Sequence, residues 1–181
     1  YRELQNMRKK SKTVNFGIIY GQTSYGLATG LGISEPDAQE MIDGWFRAYP
    51  QAKAWLDSTV QEAYSKGYTE TILGRKRRLQ RYLYNQDVGM RKFGERQAMN
   101  SPIQGSASDL LKLAMIKVYP YLLENDIRLI ATIHDEIMLY VPEYIEDEKI
   151  LEVKKIMTTA LDLGIPLKCD AEVQTRWSER E

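Results

Sequence analysis

Arg8, Lys12, Phe16 and Tyr20 recur at every fourth position near the start of the chain. Side chains four apart on a helix are neighbours on one face, so this spacing predicts a strip of two cations, a ring and a phenol aimed at one partner. Arg presents a planar fork to phosphate oxygens, Lys a mobile point charge, and an aromatic ring a stacking surface for a base or sugar. A ligand with phosphates at one end and a flat ring at the other, such as a nucleoside triphosphate, matches that order of parts. The same spacing also fits a solvated basic face whose aromatics tuck toward a core.

A second constellation is His134-Asp135-Glu136, set inside LIATIHDEIMLYVP. Ile127 to Ile133 and Ile137 to Val141 are apolar and rich in β-branched residues, and Pro142 ends the second run, which predicts a hairpin with a polar tip. Carboxylate oxygens at such a tip suit Mg²⁺, and two-metal phosphoryl transfer needs at least two carboxylates converging on the ions. A charged dipeptide that is merely solvated is the plain alternative.

Arg96, Asn100 and Gln104, in GERQAMNSPIQGSASD, form another row four apart. Their donors can reach minor-groove acceptors that all Watson–Crick pairs present in similar places, so such a row can test pair geometry without reading sequence; a purely structural row is the plain alternative. Pro102 predicts a junction here, with Ser101 as cap of a following helix and the row split across it. Upstream, Arg75-Lys76-Arg77-Arg78 interrupts strand-like sequence at an expected hairpin turn, near residues 68–82. A basic cluster of this kind suits template phosphates, or is a solvated charge run.

The elements that must carry these groups follow from local signals. A helix is expected over about 3–20, closed by Gly21. Ser34 followed by Asp37 resembles a capping box for a helix over about 35–48, with Ala38, Met41, Ile42 and Trp45 on one side. Pro50 interrupts it, and a helix over about 51–66 ends at Gly67 before a strand at 68–73. Helices over 88–99 and 102–123, the hairpin, a helix over 146–162 and a strand over 166–174 complete the expectation.

The net charge of zero conceals a division: residues 1–96 hold 16 Lys or Arg against 10 Asp or Glu, and residues 97–181 hold 9 against 15. A basic first part suits nucleic-acid phosphates and an acidic second part suits divalent cations. One cysteine, Cys169, permits no internal disulfide, and one histidine argues against a Cys/His zinc site. No apolar run approaches transmembrane length and no leader pattern is present, so no membrane partner is expected. The start at Tyr1, just ahead of Arg8, is read as that of a piece of something larger.

With these strings in hand, RKKSKTVNFGIIYG resembles the fingers-helix signature of family A DNA polymerases, bacterial polymerase I type, and His134-Asp135-Glu136 resembles the palm motif of that family. The resemblance implies an α+β right-hand polymerase fold, with helical fingers over residues 1–95 and the C-terminal part of an antiparallel palm with flanking helices over 96–181. By it, Arg8 and Lys12 bind the incoming dNTP, Lys12 is also placed to protonate the pyrophosphate, Phe16 lies against sugar and base, and Tyr20 moves in and out of the nascent-pair pocket. Asp135 becomes a metal ligand supported by Glu136, with two Mg²⁺ ions in the complete site, and His134 lies against the primer end. Arg75, Lys76, Arg77, Arg78, Arg96, Asn100 and Gln104 become contacts to primer–template DNA. A bacterial or viral source implies the cytoplasm or nucleoid.

One departure is plain. The family's other metal-binding aspartate lies in a string of the form Asp-Tyr-Ser-x-x-Glu upstream of the fingers, and no such string occurs in this sequence. With one of two bridging carboxylates, the chain alone is expected not to polymerise, and to need an upstream part carrying the second aspartate and the thumb. A non-catalytic nucleic-acid-binding module and a metal-dependent nuclease using Asp135 and Glu136 are the competing classes.

Overall fold

The structure is a computed structural model and describes residues 2–176. It divides into two compact units, Tyr1–Ser106 and Ala107–Glu181, with the boundary inside one long helix.

The first unit begins with α1 (Arg2–Ile19), which ends in a tight cap. Gly21 N–H donates to Ile18 O at 3.0 Å and Gln22 N–H to Gly17 O at 2.8 Å, while Gly21 takes φ +71°. This paired arrangement satisfies the last carbonyls and calls for a residue without a Cβ at position 21. α2 (Ser24–Leu31) follows, capped by Thr23, whose hydroxyl accepts from Gly26 N–H at 3.2 Å. α3 (Glu35–Ala48) starts as the sequence signals, with Ser34 Oγ accepting from Asp37 N–H at 3.3 Å. α4 (Pro50–Lys66) has proline in its first turn, where no N–H is missed, and Gly67 at φ +77° beyond its end. Leu27, Ala28 and Ala38 form one core with Val14 and Ile42 packed on it, so α1, α2 and α3 share a centre; Met41 stays exposed.

The hairpin β1 (Tyr68–Glu70) and β2 (Lys76–Arg78) is shorter than the sequence suggests. Its register is Tyr68↔Arg78, Thr69↔Arg77 and Glu70↔Lys76. The turn is Thr71 to Gly74, closed by Gly74 N–H donating to Thr71 O at 2.9 Å. The basic cluster is therefore not the turn itself: Arg75 follows it, and Lys76, Arg77 and Arg78 are β2. The short α5 (Gln80–Leu83) then places Leu79 and Leu83 in a second core with Ala63 and Ala98.

α6 (Val88–Glu124) is one continuous helix where the sequence predicts two. Pro102 lies inside it, and Ser101 is no cap: its hydroxyl donates to Gln97 O at 2.6 Å, and that of Ser106 donates to Pro102 O. Proline removes one bond in the ladder, at a cost of roughly 3 kcal/mol, and such back-bonded serines ease the local bend. Ala98 and Ser101 are buried on the helix flank, so tertiary packing outweighs the break.

In the second unit, β3 (Arg128–Ile133) and β4 (Glu136–Tyr140) form an antiparallel hairpin with a bulge between Leu129 and Ala131. α7 (Asp147–Thr158) ends four residues before the expected 162, where the hydroxyls of Thr158 and Thr159 turn back to Lys154 O and Lys155 O. Val118 and Leu122 of α6, Ile127 and Val153 make the core, joined by Leu129, Leu139 and Val141. No strand forms over 166–174. The alternation of Ile165, Leu167 and Cys169 is strand-like, but a strand exists only with a ladder partner, and none pairs with it among the described residues. Cys169 is half-buried, and burial pushes its thiol up.

Candidate nucleotide and nucleic-acid site

α1 brings the first predicted row together. Lys12 Nζ lies 5.7 Å from the centre of the Phe16 ring, and the Phe16 and Tyr20 rings are 5.8 Å apart at 39°. Arg8, Lys12 and Phe16 are exposed and Tyr20 is half-buried at the cap. Such a strip presents cation, ring and phenol in line on one side of α1, as the fourfold spacing predicts. It is also held from behind: Trp45 Nε1 on α3 donates to Asn15 Oδ1 at 2.8 Å, and Ile18 is buried. That link joins residues 30 apart, and no local sequence signal announces it.

The end of this strip meets the third row. A Cβ on Gly21 would stand 2.6 Å from Met99 Cε and 3.1 Å from Arg96 Cγ, so the α1 cap abuts α6. Because α6 is continuous, Arg96, Asn100 and Gln104 lie on one face of one helix instead of being split at Pro102. Arg96 and Asn100 are half-buried and Gln104 is exposed. Asn100 Oδ1 is buried with no hydrogen-bond partner, an arrangement that costs free energy unless a ligand or water supplies a donor.

The four basic residues divide by use. Arg75 Nη2 donates to Gly105 O at 3.0 Å, and Lys76 lies 3.8 Å from Glu70 and 4.5 Å from the Tyr68 ring centre. Both are tied into the fold. Arg77 and Arg78 are exposed and without an ion pair among the described residues. Thr69, Arg75, Arg77, Ser101, Gln104 and Gly105 line a polar cleft between the hairpin and α6, so Gln104 and the basic strand face a common space.

In the second unit, His134 and Asp135 form the two-residue turn of the hairpin, and Glu136 is the first residue of β4, paired with Ile133, instead of a tip residue. All three are exposed. His134 takes φ +55°, a left-handed backbone that costs an L-residue about 1–2 kcal/mol. Strain of this kind persists where the side chain is wanted at a fixed place.

Asp135 and Glu136 offer the hard oxygens that Mg²⁺ prefers. Two adjacent carboxylates do not make a two-ion site, however, and among the described residues no third Asp, Glu, His or Cys converges with them. The donor set fits one contribution to a metal site and not a whole one.

Comparison with known proteins decides what this assembly is. The model of DNA polymerase family A matches residues 3–179. The chain belongs to that family. It is 43% identical over 177 residues to DNA polymerase I of Lactococcus lactis subsp. cremoris, and 38% identical over 173 residues to the thermostable DNA polymerase I of Thermus filiformis. Each match covers 96% of this chain but only 20% and 21% of those relatives, so the chain spans about a fifth of their length. Among solved structures it is similar to the POL domain of Pol1 from M. smegmatis in complex with DNA primer-template and dNTP, with a TM-score of 0.84 at 34% identity, over 90% of this chain and 29% of that one. The α+β architecture of this family A chain, helical with small antiparallel hairpins, is that of the polymerase domain. No helix among the described residues is long and apolar enough to cross a membrane.

Proposed function

We propose that the chain supplies the fingers (1–95) and the C-terminal part of the palm (96–181) to template-directed synthesis of DNA, the transfer of a nucleotide from dNTP to a primer 3′ end. The observation that carries this reading is the aligned strip on α1, in which Lys12, Phe16 and Tyr20 stand within 6 Å ring-to-ring or cation-to-ring steps of one another. Arg8 and Lys12 hold the triphosphate, and Lys12 supplies a proton toward the departing pyrophosphate. Phe16 packs against sugar and base. Tyr20, next to Gly21 at the cap, occupies the nascent-pair pocket until the fingers close, which uses induced fit for selectivity. The bound state of the similar M. smegmatis domain, with primer-template and dNTP, supports the assignment.

Arg96, Asn100 and Gln104 contact the minor groove of the primer–template, where a base-edge or water donor satisfies Asn100 Oδ1. Arg77 and Arg78 bind backbone phosphates, with Arg75 and Lys76 holding the hairpin in shape. His134 lies against the primer end, and Asp135, supported by Glu136, gives one carboxylate to a Mg²⁺ site. A Mg²⁺ ion held there would supply positive charge against the phosphate oxygens and the primer hydroxyl.

The incomplete donor set supports a second reading for the chain on its own: DNA binding without chemistry. Primer extension separates the two. The 181-residue chain is expected to extend no primer in any divalent metal, and to do so once an upstream polymerase segment bearing Asp-Tyr-Ser-x-x-Glu is added. Extension by the purified chain alone overturns the incomplete-site reasoning. Failure of the complemented pair, with both parts shown to be folded and associated, leaves the non-catalytic reading.

A further inference from the structure

The turn between β1 and β2 carries Ile72 and Leu73 at its two central positions, 54% and 50% exposed. Exposed turns favour Gly, Asn, Asp or Pro at such places, and a β-branched residue there gains nothing locally. The turn is nevertheless held rigidly. Ile72 N–H donates to Ser106 Oγ at 2.9 Å, Thr71 N–H to Arg75 O at 3.0 Å and Arg75 N–H to Thr71 Oγ1 at 3.1 Å. Arg75 is bonded in turn to Gly105 O on α6. Two aliphatic side chains are thus presented to solvent on a braced support, beside the cleft lined by Gln104 and Arg77.

We propose that the Ile72–Leu73 turn is an apolar wedge that packs against the sugars and base edges of the DNA held by Arg77, Arg78 and Gln104. This rests on the nucleic-acid reading above and extends it to residues that neither charge nor hydrogen bonding singles out. The occupant follows from the flanks. Arg77 and Arg78 carry exposed guanidiniums about 10 Å along β2 from the turn, and they attract phosphates rather than an apolar protein face. Aliphatic wedges beside cations are a recurrent way to grip a duplex in its minor groove. The wedge contribution is hydrophobic and therefore nearly independent of salt, whereas the arginine contribution releases counterions and falls with it.

The test is fluorescence anisotropy of the 181-residue chain on a labelled primer–template duplex across a salt series. Ile72→Ser with Leu73→Ser should weaken binding about tenfold at every salt concentration, with the slope of log K against log salt unchanged. Arg77→Ala with Arg78→Ala should instead reduce that slope by about 1.8. Ile72→Val with Leu73→Met, which keeps the apolar surface, should bind like the wild type, so that a loss through misfolding is told apart from loss of the wedge. Unchanged affinity in the serine variant, beside a flattened slope in the arginine variant, overturns the wedge and leaves the DNA reading intact. Equal weakening in the Val/Met variant also overturns it, as does a wild-type dimer that the serine variant dissolves without change in DNA affinity. Absence of DNA binding by the wild type at low salt removes both readings together.

Discussion

The indole of Trp45 donates to the side-chain oxygen of Asn15 at 2.8 Å and so ties the helix that carries Lys12, Phe16 and Tyr20 to α3. Trp45 is itself held by ring contacts with Phe46 and Tyr49, at 5.4 and 5.0 Å between centres. Asn15 is the immediate neighbour of Phe16, and one residue is about a quarter turn of helix, so this bond fixes the rotation of Phe16 about the α1 axis.

Removing either end should therefore cost more in ligand alignment than in stability. Trp45→Phe and Asn15→Ala are each expected to lower unfolding free energy by about 1 kcal/mol. Combined, they should cost clearly less than the sum, because both delete one interaction. In the complemented polymerase, each should raise KM for dNTP several-fold with kcat largely retained. Additive losses in the double-mutant cycle, or an unaltered KM, would show that the bond positions nothing.

Gly21 makes a second demand on the same helix. Its φ of +71° disfavours any residue with a Cβ, and a Cβ there would stand 2.6 Å from Met99 Cε and 3.1 Å from Arg96 Cγ. Gly21→Ala is expected to destabilise by about 1–2 kcal/mol from the backbone alone. Met99 Cε is the end of a flexible side chain and can yield, so the clash adds little. A fall in the urea midpoint with unchanged m-value is the expected result. No fall would mean that the α1 cap rearranges without cost, and the strip would then lack a fixed end.

How much of this was legible depended on whether the cause was local. Ser34, Gly67 and the apolar, β-branched runs on either side of His134-Asp135-Glu136 act within a turn or a strand, and the elements they signal stand where expected. α2 was not, since Gly26 and Gly30 dilute its helical pattern, although Thr23 before it was a usable start signal and Gly32 after it a usable stop signal. At Pro102 the local break was real and the burial of Ala98 and Ser101 outweighed it. The strip on α1 needed only spacing four apart. The Trp45–Asn15 bond, the bracing of Ile72 by Ser106 and the division of labour among the four basic residues depend on partners some 30 positions away, and spacing carries no record of them.

His134 offers the sharpest test of the β3–β4 hairpin, because stability and function should move in opposite directions. Its left-handed backbone, at φ +55°, is a conformation glycine adopts freely. His134→Gly relieves about 1–2 kcal/mol of backbone strain and returns part of it as added chain entropy, so a net gain of about 0.5–1 kcal/mol is expected. The imidazole beside Asp135 is lost at the same time. In the complemented polymerase, extension should slow although the urea midpoint rises. Asp135→Asn provides the contrast: it keeps shape and backbone, so the midpoint should hardly move, while turnover in Mg²⁺ falls by orders of magnitude, each tenfold being about 1.4 kcal/mol of lost transition-state stabilisation. A His134→Gly chain that is less stable than the wild type would show that the turn is not strained, and one that is more stable and fully active would leave the histidine without a role in the site.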